Sequence, residues 1–171
     1  MHSQPLREES EGMKVIVYLI ASVAVLISLE VSAAHHKEIA TKGDKPFVLI
    51  ARLHSLPEKS AEVVALSDAA DKAVKPGEPC MLLHTFDRNP IDELGFVWTD
   101  NFENSSALEF HLQNPALVKY LSDVSLLLDS FTIELYGEVS TSAANMLKAT
   151  GTPTKHYDTE LGFIRDLTPL K

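Results

Sequence analysis

An α+β domain with elements in the order β-α-β-β-α-β, an antiparallel sheet carrying its helices on one face, is the fold class this sequence predicts. Three observations predict it. Short β-rich runs alternate with stretches of helical periodicity, the two middle strands are separated only by a polar turn, and Pro or Gly marks most junctions. With 171 residues, 45% of them hydrophobic, the chain is long enough for one well-buried domain and short for two.

Phe47 to His54 (FVLIARLH) reads as the first strand, with Phe47, Leu49, Ala51 and Leu53 on one face and Val48, Ile50, Arg52 and His54 on the other. Pro57 stands where a helix can begin, and Val63, Leu66, Ala70 and Ala73 recur at helical spacing, so a helix is expected from Pro57 to Lys75, before Pro76-Gly77. Cys80 to Phe86 (CMLLHTF) is the second strand. The polar Asp87 to Glu93 turns the chain into a third strand at Leu94 to Phe102, its expected antiparallel neighbour. Asn104, Ser105 or Ser106 caps a helix running to about Asn114, and Pro115 starts another helical segment carrying Leu117, Val118, Leu121 and Val124. In the last strand Phe131, Ile133 and Leu135 alternate with Thr132, Glu134 and Tyr136, up to Gly137.

That order is the split pattern of a ferredoxin-like sandwich. VLIA in the first strand and CMLL in the second are apolar on both faces, so the face away from the helices is expected to be covered by a second sheet. A homodimer enclosing a sheet-lined cavity is the simplest way to cover it.

Outside the domain, Val15 to Leu29 is fifteen residues without a charge, followed by Val31 and Ala33 at the small-residue positions of a signal-peptidase site, with cleavage after Ala33. The run is short for a membrane span, which favours a cleaved signal peptide and a secreted or extracytoplasmic product over a membrane anchor formed by residues 15–34. Three glutamates before Gly12 make a poor leader, and Met13-Lys14 a better one, so Met13 competes with Met1 as the start. The organisation read from the sequence is an extension and signal at 1–33, a polar lead-in at 34–46, the domain at 47–139 and an arm at 140–171. A short helix is expected at Ala143 to Ala149. The arm is too apolar, at Leu161, Phe163, Ile164 and Leu167, to be left in water, and is expected to pack on the domain or its partner. His35 and His36 are adjacent without a third ligand and do not read as a metal site.

A net charge of −9 and the lack of a basic stripe argue against a nucleic-acid partner. Cys80, the single cysteine, excludes an intrachain disulfide and reads as a buried thiol. No Gly-rich phosphate loop and no metal-ligand cluster stands out, which fits a site without a cofactor.

FVLIARLHSLPEKSAEVV, EPCMLLHTF and GFVWTDNFENSSALEFHLQNPAL together resemble the antibiotic biosynthesis monooxygenase domain family, over about Phe47 to Val139. Asp100, Phe102, Ala107, Leu108 and His111 fill the family's pattern of acidic residue, aromatic, Ala-Leu and helix histidine, with Asp where Glu is common and Phe where Trp is common. The resemblance implies a dimeric ferredoxin-like barrel that oxidises a small aromatic or quinol-like substrate with dioxygen, without flavin or metal. Such chemistry needs an apolar pocket, a base to make the phenolate or enolate, and donors to hold the anion.

His111 is the leading candidate for that base, or for a substrate-orienting group, against a structural role on a partly apolar helix face. Trp98, on the same strand face as Phe96, either belongs to the core or aims its indole N–H at a substrate oxygen. Asp100 orients a histidine or caps the following helix. His84, His54 and Arg52 are candidate substrate-binding groups on their strands, as is Phe96. A noncatalytic small-molecule-binding dimer of the same fold and a haem-binding or haem-degrading relative are the alternative functions, the latter using His111 or His84 as axial ligand.

Overall fold

The computed structural model describes residues 45–164. The signal segment, the Met13 start, the adjacent histidines and the last residues of the arm lie outside them. Nine elements follow in order: β1 (Phe47–Ser55), α1 (Ser60–Val74), β2 (Met81–Arg88), β3 (Gly95–Phe102), α2 (Ser105–Gln113), α3 (Pro115–Val124), β4 (Leu128–Tyr136), α4 (Thr141–Ala149) and β5 (Thr154–Tyr157), with a 3-10 turn at Ser125–Leu127 before β4.

The sheet order is β2-β3-β1-β4-β5. The first four strands are antiparallel, the arrangement expected of β-α-β-β-α-β, and the helices cover one face. Strand alternation supplies that face with Phe47, Leu49, Ala51 and Leu53 from β1 and Phe96, Trp98 and Phe102 from β3, all buried. They meet Val63, Ala70 and Val74 of α1, Ala107 and Leu108 of α2, and Tyr120 and Val124 of α3. Each large side chain removed from water in this layer contributes roughly 1.5–3 kcal/mol.

Local chemistry sets the helix boundaries. α1 starts at Ser60, three residues later than Pro57 suggests, because Glu58 has φ 65° and a left-handed residue cannot continue a right-handed helix. Asn104 caps α2 by accepting from the Ala107 N–H at 3.0 Å. Asn114 ends α2 in extended conformation and caps α3 by accepting from the Ala116 N–H at 2.9 Å, with Pro115 in the first turn. The two helices therefore meet at a corner.

The segment read as an arm carries regular structure. Ser140 caps α4, whose Ala143 and Leu147 are fully buried, and the chain returns as β5, parallel to β4, from Ile133↔Thr154 to Tyr136↔Tyr157. The sheet is thus five-stranded and mixed, not four-stranded. Thr154–Tyr157 (TKHY) lacks apolar alternation because it is an exposed edge with no core face to fill. Beyond it, Leu161 and Phe163 remain largely exposed.

Gly137 closes β4 with φ 115°, and a β-carbon there would lie 3.0 Å from the β-carbon of Phe47. Gly137→Ala therefore combines a backbone strain of about 1–3 kcal/mol with a clash against the first core residue. Urea denaturation is expected to show a loss in that range with an unchanged m value.

Candidate active site

A cavity of about 60 Å³ lies between the helix-side face of the sheet and the helices. Its walls are mostly aliphatic, with Leu49 and Ile133 from the sheet, Val74 from α1, and Leu117 and Leu121 from α3. Ionisable side chains gather on one part of its wall: His84 from β2, Asp100 from β3 and His111 from α2.

His84 faces the cavity because of an irregularity in β2. Met81 pairs with Phe102 but Leu83 pairs with Asn101, so Leu82 is an extra residue in the edge strand. Strand side chains alternate, and without that bulge His84 would point to the opposite face. With it, His84 pairs with Asp100, and its Nδ1 lies 2.7 Å from Asp100 Oδ1. The imidazole stacks on Trp98 with ring centroids 4.2 Å apart and planes 16° from parallel.

His111 sits in the last turn of α2, buried, with its Nδ1 2.8 Å from Glu78 Oε2. The other Glu78 oxygen accepts from Asn114 Nδ2 at 2.6 Å. Phe102 stands against the His111 ring at 5.5 Å, and the two imidazoles are 6.2 Å apart. Both Nδ1 atoms face carboxylates, which as anions only accept, so the hydrogen of each neutral ring resides on Nδ1 and the Nε2 lone pair is left free. The arrangement is two carboxylate-oriented bases in an apolar space.

Trp98 is fixed from behind. Its indole N–H donates to the Tyr120 hydroxyl at 3.0 Å, and that oxygen is also 3.0 Å from Ser67 Oγ. The indole N–H is thereby committed to the protein and not to a substrate oxygen. Burial pushes the Tyr120 phenol above its ordinary 10.0, and the Asp100 carboxylate adds to the rise, while the hydrogen bonds from Ser67 and Trp98 oppose it. The phenol is a neutral strut.

The structure brings together His84, Trp98, Asp100 and His111. Arg52 and His54 stand on the opposite face of β1, the first held by Glu134 (3.1 and 3.2 Å) and the second by Asp129 (2.8 Å), and neither reaches the cavity. Phe96 faces the helices but lies outside the cavity wall, stacked on Phe86 at 5.1 Å. Asp100 orients His84, while the cap of the following helix is Asn104. Cys80 is partly buried, and its thiol is pushed up to about 11 by burial and then by the Glu103 carboxylate, far from thiolate reactivity. Sequence reading missed Glu78 and Tyr120. Tyr120 carries a helical signal, three residues after Leu117, whereas Glu78 lies in a Pro-Gly turn and meets its histidine across 33 positions. Among the described residues no group of three His, Cys, Asp or Glu side chains is arranged to hold a metal ion.

Neither a family model nor a curated protein matches this chain. Solved structures do. A protein of Shewanella oneidensis superposes with a TM-score of 0.52 at 18% identity, over 54% of this chain and 90% of that one. A Deinococcus radiodurans protein, provisionally named an antibiotic biosynthesis monooxygenase, gives 0.50 at 19%, over 56% and 94%, and another of that name gives 0.50 at 19%, over 55% and 99%. The chain has the ferredoxin-like fold of the antibiotic biosynthesis monooxygenases.

Tyr120→Phe leaves the buried Trp98 N–H without an acceptor, a cost of about 1–3 kcal/mol. Trp98 is the sole tryptophan. A lowered melting temperature together with a shifted Trp98 emission is the expected result.

Proposed function

We propose that the chain is a cofactor-independent monooxygenase that oxidises a small phenolic or quinol-like aromatic with dioxygen. The observation that carries this reading is the pair of carboxylate-oriented imidazoles on the wall of an otherwise apolar cavity. The Nε2 of His111 removes the phenolic proton, and Glu78 steadies the imidazolium that results. The electron-rich phenolate reduces dioxygen by one electron, and the two radicals combine to a peroxide at a ring carbon. Loss of the hydrogen on that carbon to His84 breaks the O–O bond and leaves a quinone. The second oxygen atom departs as water, taking up both protons that the histidines had removed. Phenol and dioxygen thus become quinone and water, with the substrate supplying all the electrons.

Apolar walls favour this chemistry by excluding water that would solvate and blunt the anion. Stacking against Trp98 holds the His84 ring in one plane, which limits where its Nε2 can meet a substrate. Oxygen uptake with a panel of hydroquinones and naphthols tests the proposal. Removing a general base is expected to lower turnover about 10²–10⁴-fold in His111→Ala, with a comparable loss in His84→Ala. Uptake unchanged in both variants would sink it, and an inactive protein that still binds the panel would point to the noncatalytic dimer.

The second part of the proposal is a homodimer through the open sheet face. Val48, Ile50 and Val97 lie on that face and are only half-buried, Leu83 is exposed, and the Asn101 Oδ1 is buried without a hydrogen-bond partner among the described residues. A second copy of the sheet would cover the apolar residues and could supply that missing donor. Light scattering is expected to give twice the chain mass, and Ile50→Glu to give the monomer.

A further inference from the structure

Beside the cavity lies a second cleft, about 200 Å³, between the C-terminal end of α1 and the start of β2. The two spaces share two lining residues, Val74 and His84, so these side chains form the partition between them. Glu78 lines the cleft while holding His111, which lines the cavity. The histidine part of the cavity therefore lies next to the cleft.

The two spaces differ in chemistry. The cavity is aliphatic and aromatic apart from its histidine cluster and the hydroxyl-bearing Tyr120, Thr150 and Thr152, while the cleft sets Asp71, Lys75 and Glu78 beside Met81, Leu82 and Leu83. Both Glu78 oxygens are engaged, but the Asp71 carboxylate and the Lys75 ammonium have no side-chain partner among the described residues. They remain available to a ligand. Counting Asp100 behind His84, three carboxylates surround the partition against one ammonium. An anion arriving from solvent meets net repulsion there. An anion made inside the cavity by proton transfer to an imidazole differs, since the new imidazolium offsets it.

The geometry points to this cleft as the entrance and polar subsite of the cavity, taking the neutral or cationic, hydrogen-bonding end of an elongate aromatic molecule whose ring passes Val74 and His84. This rests on the reading of the cavity as a substrate site and narrows the substrate to phenols bearing a non-anionic polar appendage. The bulge at Leu82 belongs to the same device, because it brings His84 to the partition and lies on the cleft wall itself.

Calorimetric titration of the full chain with three probes tests this: a naphthalenediol, its aminomethyl analogue and its carboxylate analogue. The first two are expected to bind, and the carboxylate at least about tenfold more weakly, a difference of roughly 1.4 kcal/mol. Asp71→Lys is expected to bring the carboxylate to within about threefold of the diol, and Val74→Trp, which fills the partition, to abolish binding of all three. If Val74→Trp does not fold, Asp71→Lys alone decides, since it replaces a partly exposed helix residue. Equal binding of the carboxylate, unchanged discrimination in Asp71→Lys, or no binding of any probe overturns the inference. Oxygen uptake recorded on the same samples separates the two claims: a diol bound with the stated discrimination but never oxidised overturns the oxygenase and leaves the entrance standing.

Discussion

Glu78 is a carboxylate with almost no exposure and no lysine or arginine paired to it, and the rest of the site depends on how its two oxygens are satisfied. A buried charge without compensation costs several kcal/mol, so both of its hydrogen bonds are structural necessities. One partner is His111 in the last turn of α2 and the other is Asn114, which ends α2 and caps α3. The carboxylate thus pins the turn after α1 to the corner between two helices. That pin fixes the His111 ring and its tautomer and holds three helical segments around the cavity.

The two histidines reach the same arrangement by different routes. His111 is placed by a helix end, and its carboxylate comes from a remote turn. His84 is placed by a strand irregularity, and its carboxylate comes from the directly paired residue of β3. Asp100 and Phe102, which fill the family-like pattern in the sequence, serve these two rings: Asp100 holds His84, and Phe102 backs His111 while stacking on Phe47 at 5.5 Å. The resemblance seen in the sequence thus reflects a spatial cluster as well as an order of elements.

What the sequence makes legible is what periodicity and local chemistry encode. Alternation in β1 sets Leu49 and Ala51 on one face and Arg52 and His54 on the other without saying which face meets the cavity, and Asn114-Pro115 marks the corner between α2 and α3. What it conceals depends on a single residue or on distant partners. Nothing local in CMLLHTF shows that Leu82 is an extra residue, yet that decides which face receives His84. Glu78 looks like any surface glutamate until Asn114 and His111 are seen around it. β5 has no apolar signature because its stability comes from backbone pairing to β4 and not from burial.

The Leu82 bulge also bears on solubility. Among the described residues β2 is the long free edge of the sheet, the other edge being the four-residue β5. An unpaired edge with Leu82 and Leu83 exposed is a template on which another chain could add a strand. The extra residue interrupts the even spacing of backbone donors and acceptors at the point where those two leucines would make addition attractive, while Asp87 and Arg88 charge the far end. The irregularity that aims an imidazole inward therefore also makes the outer rim a poor partner for aggregation.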